Sequence, residues 1–187
     1  MSIARQTEIM EQSQEDLTGY TAVISSDHAY IHDGIAFTGI INTGSISSAY
    51  NISFKTPAST FIHWRPIGID SSADYVDFVL SEGDTYSGGT AVVPINRNRL
   101  SSNTTDMQSF VKGSTVTPTG VIIQRGGIGT SGNRVSQTGC GSGADEELVL
   151  KQDTEYTLTL TPDGATICNL SLFWYEEGAG LDNPHGA

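Results

Sequence analysis

Two runs near the C-terminal end restrict this chain to β-structure. In Glu155-Tyr-Thr-Leu-Thr-Leu-Thr, Tyr156, Leu158 and Leu160 share one parity and Thr157 and Thr159 take the other. Side chains of an extended strand alternate between its two faces, so this pattern builds a half-buried strand with one apolar and one hydroxylated side. In the following run, Thr166-Ile-Cys-Asn-Leu-Ser-Leu-Phe-Trp-Tyr, Cys168, Leu170, Leu172 and Trp174 fall in one register. Asn169, Ser171, Phe173 and Tyr175 fall in the other, which places Phe173 and Tyr175 on an outer face as candidates for contact with a partner.

Upstream, short β-prone runs alternate with turn clusters. Thr21 to Ser25 and Ala29 to His32 read as short strands, Asp33-Gly34 as a turn, and Ile35 to Asn42 as an extended run. Further strands are predicted at Ala49 to Lys55, Thr60 to Arg65, Tyr75 to Leu80, Thr90 to Ile95, Ser109 to Val111 and Gly120 to Gln124. With Glu147 to Gln152 and the two runs above, this spacing suits an all-β protein, a single sandwich of jelly-roll type, rather than βαβ units. The predicted core is Ile52, Phe54, Ile62, Trp64, Val76, Phe78, Leu80, Tyr156, Leu158, Leu160, Leu170, Leu172 and Trp174. Burying a large apolar side chain contributes about 1.5 to 3 kcal/mol, so this set can offset chain entropy without metal or disulfide help.

The sandwich is expected over residues 20–177, with an N-terminal arm at 1–19 and a flexible tail at 178–187. The arm carries Glu8, Glu11, Glu15 and Asp16 beside isolated Ile3, Ile9, Met10 and Leu17, a stripe too narrow to hold a helix alone. It reads as a segment that orders on a partner through Ile9 and Met10, or as a disordered terminus. Residues 126–143 hold seven glycines and read as a long loop between strands, with Arg125 and Arg134 as interface candidates.

The charge balance narrows the partners. The chain carries 21 acidic against nine basic residues, for a net charge of -12, and its basic residues are scattered, which disfavours nucleic acid. The N-terminus lacks the apolar core of a secretory signal and no run reaches membrane-spanning length, so a soluble, unexported protein is expected. Cys140 and Cys168 are too few for a disulfide scaffold; Cys168 lies on an apolar register, and both are expected to be reduced.

Chemistry-bearing patterns are sparse. Asp27-His-x-x-x-His-Asp would set His28 and His32 on one metal if the segment were helical, but the Asp-Gly turn and β-branched neighbours argue for a strand and against a site. Asp70, Asp74, Asp77, Glu82 and Asp84 lack the ligand spacing of a compact calcium loop and read as a solvated acidic rim. No nucleophile elbow, zinc-protease helix or phosphate-cradling loop occurs, and nothing selects a glycosidase pair among the acids. No catalytic residue, cofactor or metal is expected.

Five phrases carry a family resemblance: Ile31-His-Asp-Gly-Ile-Ala-Phe, Asn51-Ile-Ser-Phe-Lys-Thr-Pro, Pro94-Ile-Asn-Arg-Asn-Arg, Glu147-Leu-Val-Leu-Lys-Gln-Asp-Thr-Glu-Tyr and Leu172-Phe-Trp-Tyr-Glu. Together, over about Tyr30 to Glu176, the chain resembles small virion proteins of tailed bacteriophages. The resemblance implies a β-sandwich that decorates or cements the outside of the capsid. Its partners would be the major capsid protein and further copies of itself, with threefold clustering the natural arrangement on a capsid lattice; it implies no membrane or direct nucleic-acid contact. The location would be the virion surface, after assembly in the host cytoplasm.

Arg97 and Arg99, two apart in a stretch read as extended, would point the same way and pair either with a neighbour's carboxylates or with their own loop. Two other functions compete with decoration. One is a receptor- or carbohydrate-binding head-fibre module using Trp64, Trp174 and Tyr175 as stacking platforms. The other is a polysaccharide hydrolase.

Overall fold

A computed structural model describes residues 26–65, 68–72, 74–129 and 147–178. The predicted arm, the strand at Thr21 to Ser25, Cys140 and the predicted tail beyond its first residue, Gly178, lie outside these residues. Two antiparallel sheets pack face to face. The first contains β1 (Ala36–Ile46), β3 (Thr60–Trp64), β4 (Gly68–Ser71), β8 (Ile95–Asn96), β12 (Leu148–Leu150) and β14 (Thr166–Gly178). The second contains β2 (Tyr50–Lys55), β5 (Val76–Glu82), β7 (Thr90–Ala91), β9 (Ser109–Lys112), β11 (Val121–Ile128) and β13 (Glu155–Pro162). The order is β12-β3-β14-β1-β8 in the first, with β4 also against β14, and β11-β5-β13-β2-β9-β7 in the second. β14 is the axis of the first sheet, pairing with β1 along one side and with β3 and β4 along the other.

In the packed interior, side chains sort by parity as expected. All thirteen predicted core residues are buried. Phe54 of β2 stacks on Trp64 of the facing sheet at 4.8 Å and on Tyr156 at 5.4 Å, and Phe110 meets Trp174 edge-on at 5.8 Å. These offset and edge-on pairs are the arrangements aromatic quadrupoles favour, and the Phe54–Trp64 and Phe110–Trp174 pairs lock one layer to the other.

Besides Thr90 to Ile95, predicted as one strand and split between β7 of the second sheet and β8 of the first, three segments depart from the sequence reading. Ala29 to His32, predicted as strand, belongs to a short helix, α1 (Ser26–His32). The Asp33-Gly34 pair closes that helix instead of a hairpin. Gly34 takes φ +69°, its N–H bonds Ile31 O at 3.0 Å, and Ile35 N–H reaches back to Tyr30 O at 3.1 Å. This is a Schellman end, which needs a left-handed residue just as a tight hairpin does, so one dipeptide fits both.

The first residues of the predicted glycine-rich loop are strand. Gly126, Gly127 and Ile128 continue β11, paired with Phe78, Asp77 and Val76. A Cβ on Gly126 would fall 2.4 Å from the Phe78 ring and one on Gly127 1.9 Å from the Tyr75 hydroxyl, so these glycines make room for aromatic side chains while staying extended. Residues 130–146 lie outside the described ones.

The third departure is a two-stranded ribbon of β6 (Thr85–Ser87) and β10 (Thr115–Thr117), whose strands are too short for a periodic signal. Its strands follow similar phrases, Gly83-Asp-Thr-Tyr-Ser and Gly113-Ser-Thr-Val-Thr, each starting from a glycine with positive φ. Gly83 N–H is held by Glu155 O at 2.8 Å and Gly113 N–H by Asn51 O at 2.7 Å. The ribbon explains why Ser53 and Thr157, on the hydroxylated register, are fully buried: Ser114, just before β10, bonds Ser53 Oγ at 2.8 Å, and Ser53 bonds Thr157 at 3.2 Å.

Candidate functional site

The outer face of the first sheet concentrates the residues of interest. Tyr175 and His63 are opposite one another in register on β14 and β3. Their rings stack at 4.3 Å, and Tyr30 of α1 stacks on Tyr175 at 4.0 Å. Glu147 binds this group together: Oε1 accepts from the Tyr175 hydroxyl at 2.6 Å and lies 2.8 Å from His63 Nδ1, while Oε2 pairs with Arg65 Nε at 2.9 Å. Burial, then the Glu147 carboxylate, pushes the Tyr175 phenol far above its ordinary range, so it stays protonated and donates to Glu147. Tyr175, predicted to be exposed, is thus buried under its own chain. Strand parity assigns a side chain to a face but says nothing of what lies over that face.

Farther along the same face the surface opens. Phe173, half-buried, carries the Arg97 guanidinium over its ring at 5.3 Å, and Ile40 of β1, two pairs along from the Thr38–Phe173 pair, is 62% exposed. Arg97 and Arg99 do not share an extended segment. Asn96 and Asn98 side chains cap the backbone N–H groups of Asn98 and Leu100 at 2.9 and 3.1 Å, bending the chain so that both arginines ride an exposed turn. Arg97 therefore serves its own chain by covering Phe173, while Arg99 is an exposed turn residue.

A pocket of about 470 Å³ opens between Ile35, Phe37, Thr60, Asn103, Asp106 and Glu176. Sequence reasoning missed it, because its carboxylates lie 70 positions apart and only Glu176 directly follows a recognisable strand. Glu176 is buried; its oxygens accept from Asp106 N–H at 2.8 Å, from Trp174 Nε1–H at 2.9 Å and from the Thr105 hydroxyl. Burial raises its carboxyl above the ordinary range, against the pull of those donors. Asp106 in turn accepts from the Thr60 hydroxyl at 2.6 Å. These bonds tie the loop ahead of β9 to the end of β14, so both carboxylates are engaged in holding the pocket wall.

The other predicted site residues scatter. Arg125 is exposed on the edge strand β11, its guanidinium 3.2 Å from Asp77 on β5. Ile9, Met10 and Arg134 lie outside the described residues. The acidic stretch is divided: Asp77 serves Arg125, Glu82 bonds Lys151 at 2.6 Å and the Tyr156 hydroxyl at 2.9 Å, and Asp84 is buried. Asp84 caps the N–H groups of Thr119 and Gly120 at 3.0 and 2.8 Å, so it is a turn anchor rather than part of a solvated rim.

Trp64 and Trp174 are each 1% exposed and offer no platform for a sugar ring. No model of a known protein family matches this chain, and no curated protein matches it.

Proposed function

We propose that this chain is a non-enzymatic virion component, a decoration protein that docks on the outside of an assembled phage capsid. The observation that carries this reading is the open part of the first sheet's outer face, where exposed Ile40 adjoins the Phe173–Arg97 pair. An apolar centre beside arginine is the composition of protein–protein contact surfaces, and the rigid sheet beneath presents it without an ordering cost. The family resemblance points the same way. So does the strand order: β1-β14-β3-β12 faces β2-β13-β5-β11, which supports reading the sandwich as a jelly roll, an architecture frequent in virion proteins. Repetition on a lattice supplies avidity, so each contact can be modest. Association of the protein with copies of itself, as a trimer on the lattice, belongs to the same proposal.

Co-sedimentation of the purified full chain with assembled capsids tests it. Retention is expected, with heat resistance of the particles increased, and Ile40→Asp together with Arg97→Glu should abolish retention. Capsids that never retain the wild-type chain would end the proposal.

A receptor- or carbohydrate-binding module is the second reading, favoured by the hydroxyl-, amide- and carboxylate-lined pocket at Asn103, Asp106 and Glu176. Specific binding on a glycan array, lost on Asn103→Ala, would establish it; an array without hits removes it.

A further inference from the structure

We propose that His28 and His32 form a chelating site for an imidazole-preferring divalent transition ion such as zinc or copper. Expected on a strand, where they would not converge on one ion, His28 and His32 instead lie on the helix α1. One helical turn apart, the two imidazoles are neighbours on the same face. Their ring centres are 4.6 Å apart with planes 21° from parallel, yet the two Nε2 atoms are only 2.9 Å apart. The rings therefore converge at their Nε2 ends.

That separation suits a shared ion. With metal–nitrogen bonds of about 2.0 to 2.1 Å, two ligands at a right angle to one another are separated by about 2.9 Å, and two at a tetrahedral angle by about 3.4 Å. Without metal, a ring protonated at Nε2 donates that N–H to the other ring's lone pair; on binding, the proton is carried at Nδ1 instead, so that both Nε2 lone pairs bond the ion. Imidazole ligation selects zinc, copper or nickel over calcium or magnesium, which take oxygen donors.

The helix is also held in place, so the pair is set before any ion arrives. Tyr30 stacks on Tyr175 at 4.0 Å, Asn98 Nδ2–H donates to His32 O at 3.0 Å, and the Gly34 end fixes the last turn. Both histidines are exposed, leaving the ion's remaining positions to water or to a donor from another molecule. Among the described residues no group of three or more His, Cys, Asp or Glu side chains is placed to hold a metal. A two-ligand site of modest, micromolar-range affinity is the expected result, not a closed structural one.

Calorimetric titration of zinc into the full chain, prepared without a polyhistidine tag, tests the site. One ion per chain is expected, and His28→Gln and His32→Gln should each weaken uptake at least tenfold, with the double variant no weaker than either alone. His185→Gln should leave uptake unchanged, which separates the pair from the histidine near the C-terminal end. Copper bound to the wild-type chain should show two equivalent nitrogen couplings by electron paramagnetic resonance. Because both rings are exposed, the metal-free variants should keep the wild-type unfolding midpoint. Equal zinc uptake by the wild type and the double variant, or none by the wild type, would overturn the proposal.

Discussion

On the second sheet, the hydroxylated face runs under a piece of the same chain, and Ser53, Ser114 and Thr157 are sealed beneath the β6–β10 ribbon with their hydroxyls paired. On the first sheet, the described residues cover the corresponding face at one end, where α1 and Glu147 close over Tyr175, and among them nothing closes over Ile40 beyond Phe173. Two faces built by the same alternation thus end differently because of what the connecting segments do. The lesson is that an outer register of Ser, Thr and aromatic residues marks a surface available for covering; whether the cover is internal or external is decided by the loops.

Removing the internal supports breaks this contrast most strongly. Glu176→Ala leaves the Trp174, Thr105 and Asp106 donors without their acceptor, and a loss on the order of 3 kcal/mol or more is expected by urea unfolding. A loss below about 1 kcal/mol would mean the pocket wall is not held through this carboxylate. Glu176→Gln sharpens the same point through pH. Burial raises the Glu176 carboxyl, so the folded chain holds this proton more tightly than the unfolded one. Its contribution is fully present below the ordinary carboxylate range and is lost as pH rises through the raised folded value; the Gln variant should lack that decline. Glu82 runs the opposite way, lowered first by its bond to Lys151, and its contribution is lost as pH falls through its lowered value. With Lys151 73% exposed, that second effect should be small and fade with added salt.

Next in size is the ribbon. Tyr86, half-buried, reaches the Ser109 hydroxyl, and Tyr86→Ala should cost about 2 kcal/mol and speed amide exchange in β6 and β10. Unchanged exchange there would show that the ribbon is held by its glycine turns alone. Tyr30→Ala should cost about 1 kcal/mol, with faster exchange confined to α1, since it removes one aromatic stack and leaves the sheet intact. Ile40→Asp should change stability by less than about 0.5 kcal/mol, because the side chain is mostly in solvent. A large loss would mean that the open face is part of the fold and not a docking surface.

The interior was legible in the sequence wherever a strand ran long enough for alternation to repeat, as in Tyr156, Leu158 and Leu160 or Leu170, Leu172 and Trp174. β6 and β10 escaped because three residues carry no period. α1 escaped because Tyr30 and Ile31 favour strands and because a positive-φ glycine closes helices and hairpins alike. Of the candidate site residues, Phe173 and Arg97 were visible as an outer aromatic and a basic pair, but their contact with each other depends on the turn capped by Asn96 and Asn98. The Glu176 pocket was invisible because it joins residues from distant parts of the chain. His28 and His32 were visible as a pattern, and only the backbone conformation decided its meaning.

The position of β14 along the chain has a consequence for biogenesis. Its partners β1, β3 and β4 are all made long before it, with Asn42 waiting 127 residues for the Asn169 side chain it bonds. During translation the first sheet has no middle until residue 178 clears the ribosome, and β1 spends that time with an unmatched edge. Slow closure follows from such distant pairing, and a chaperone that shields β1 should raise the yield of folded protein.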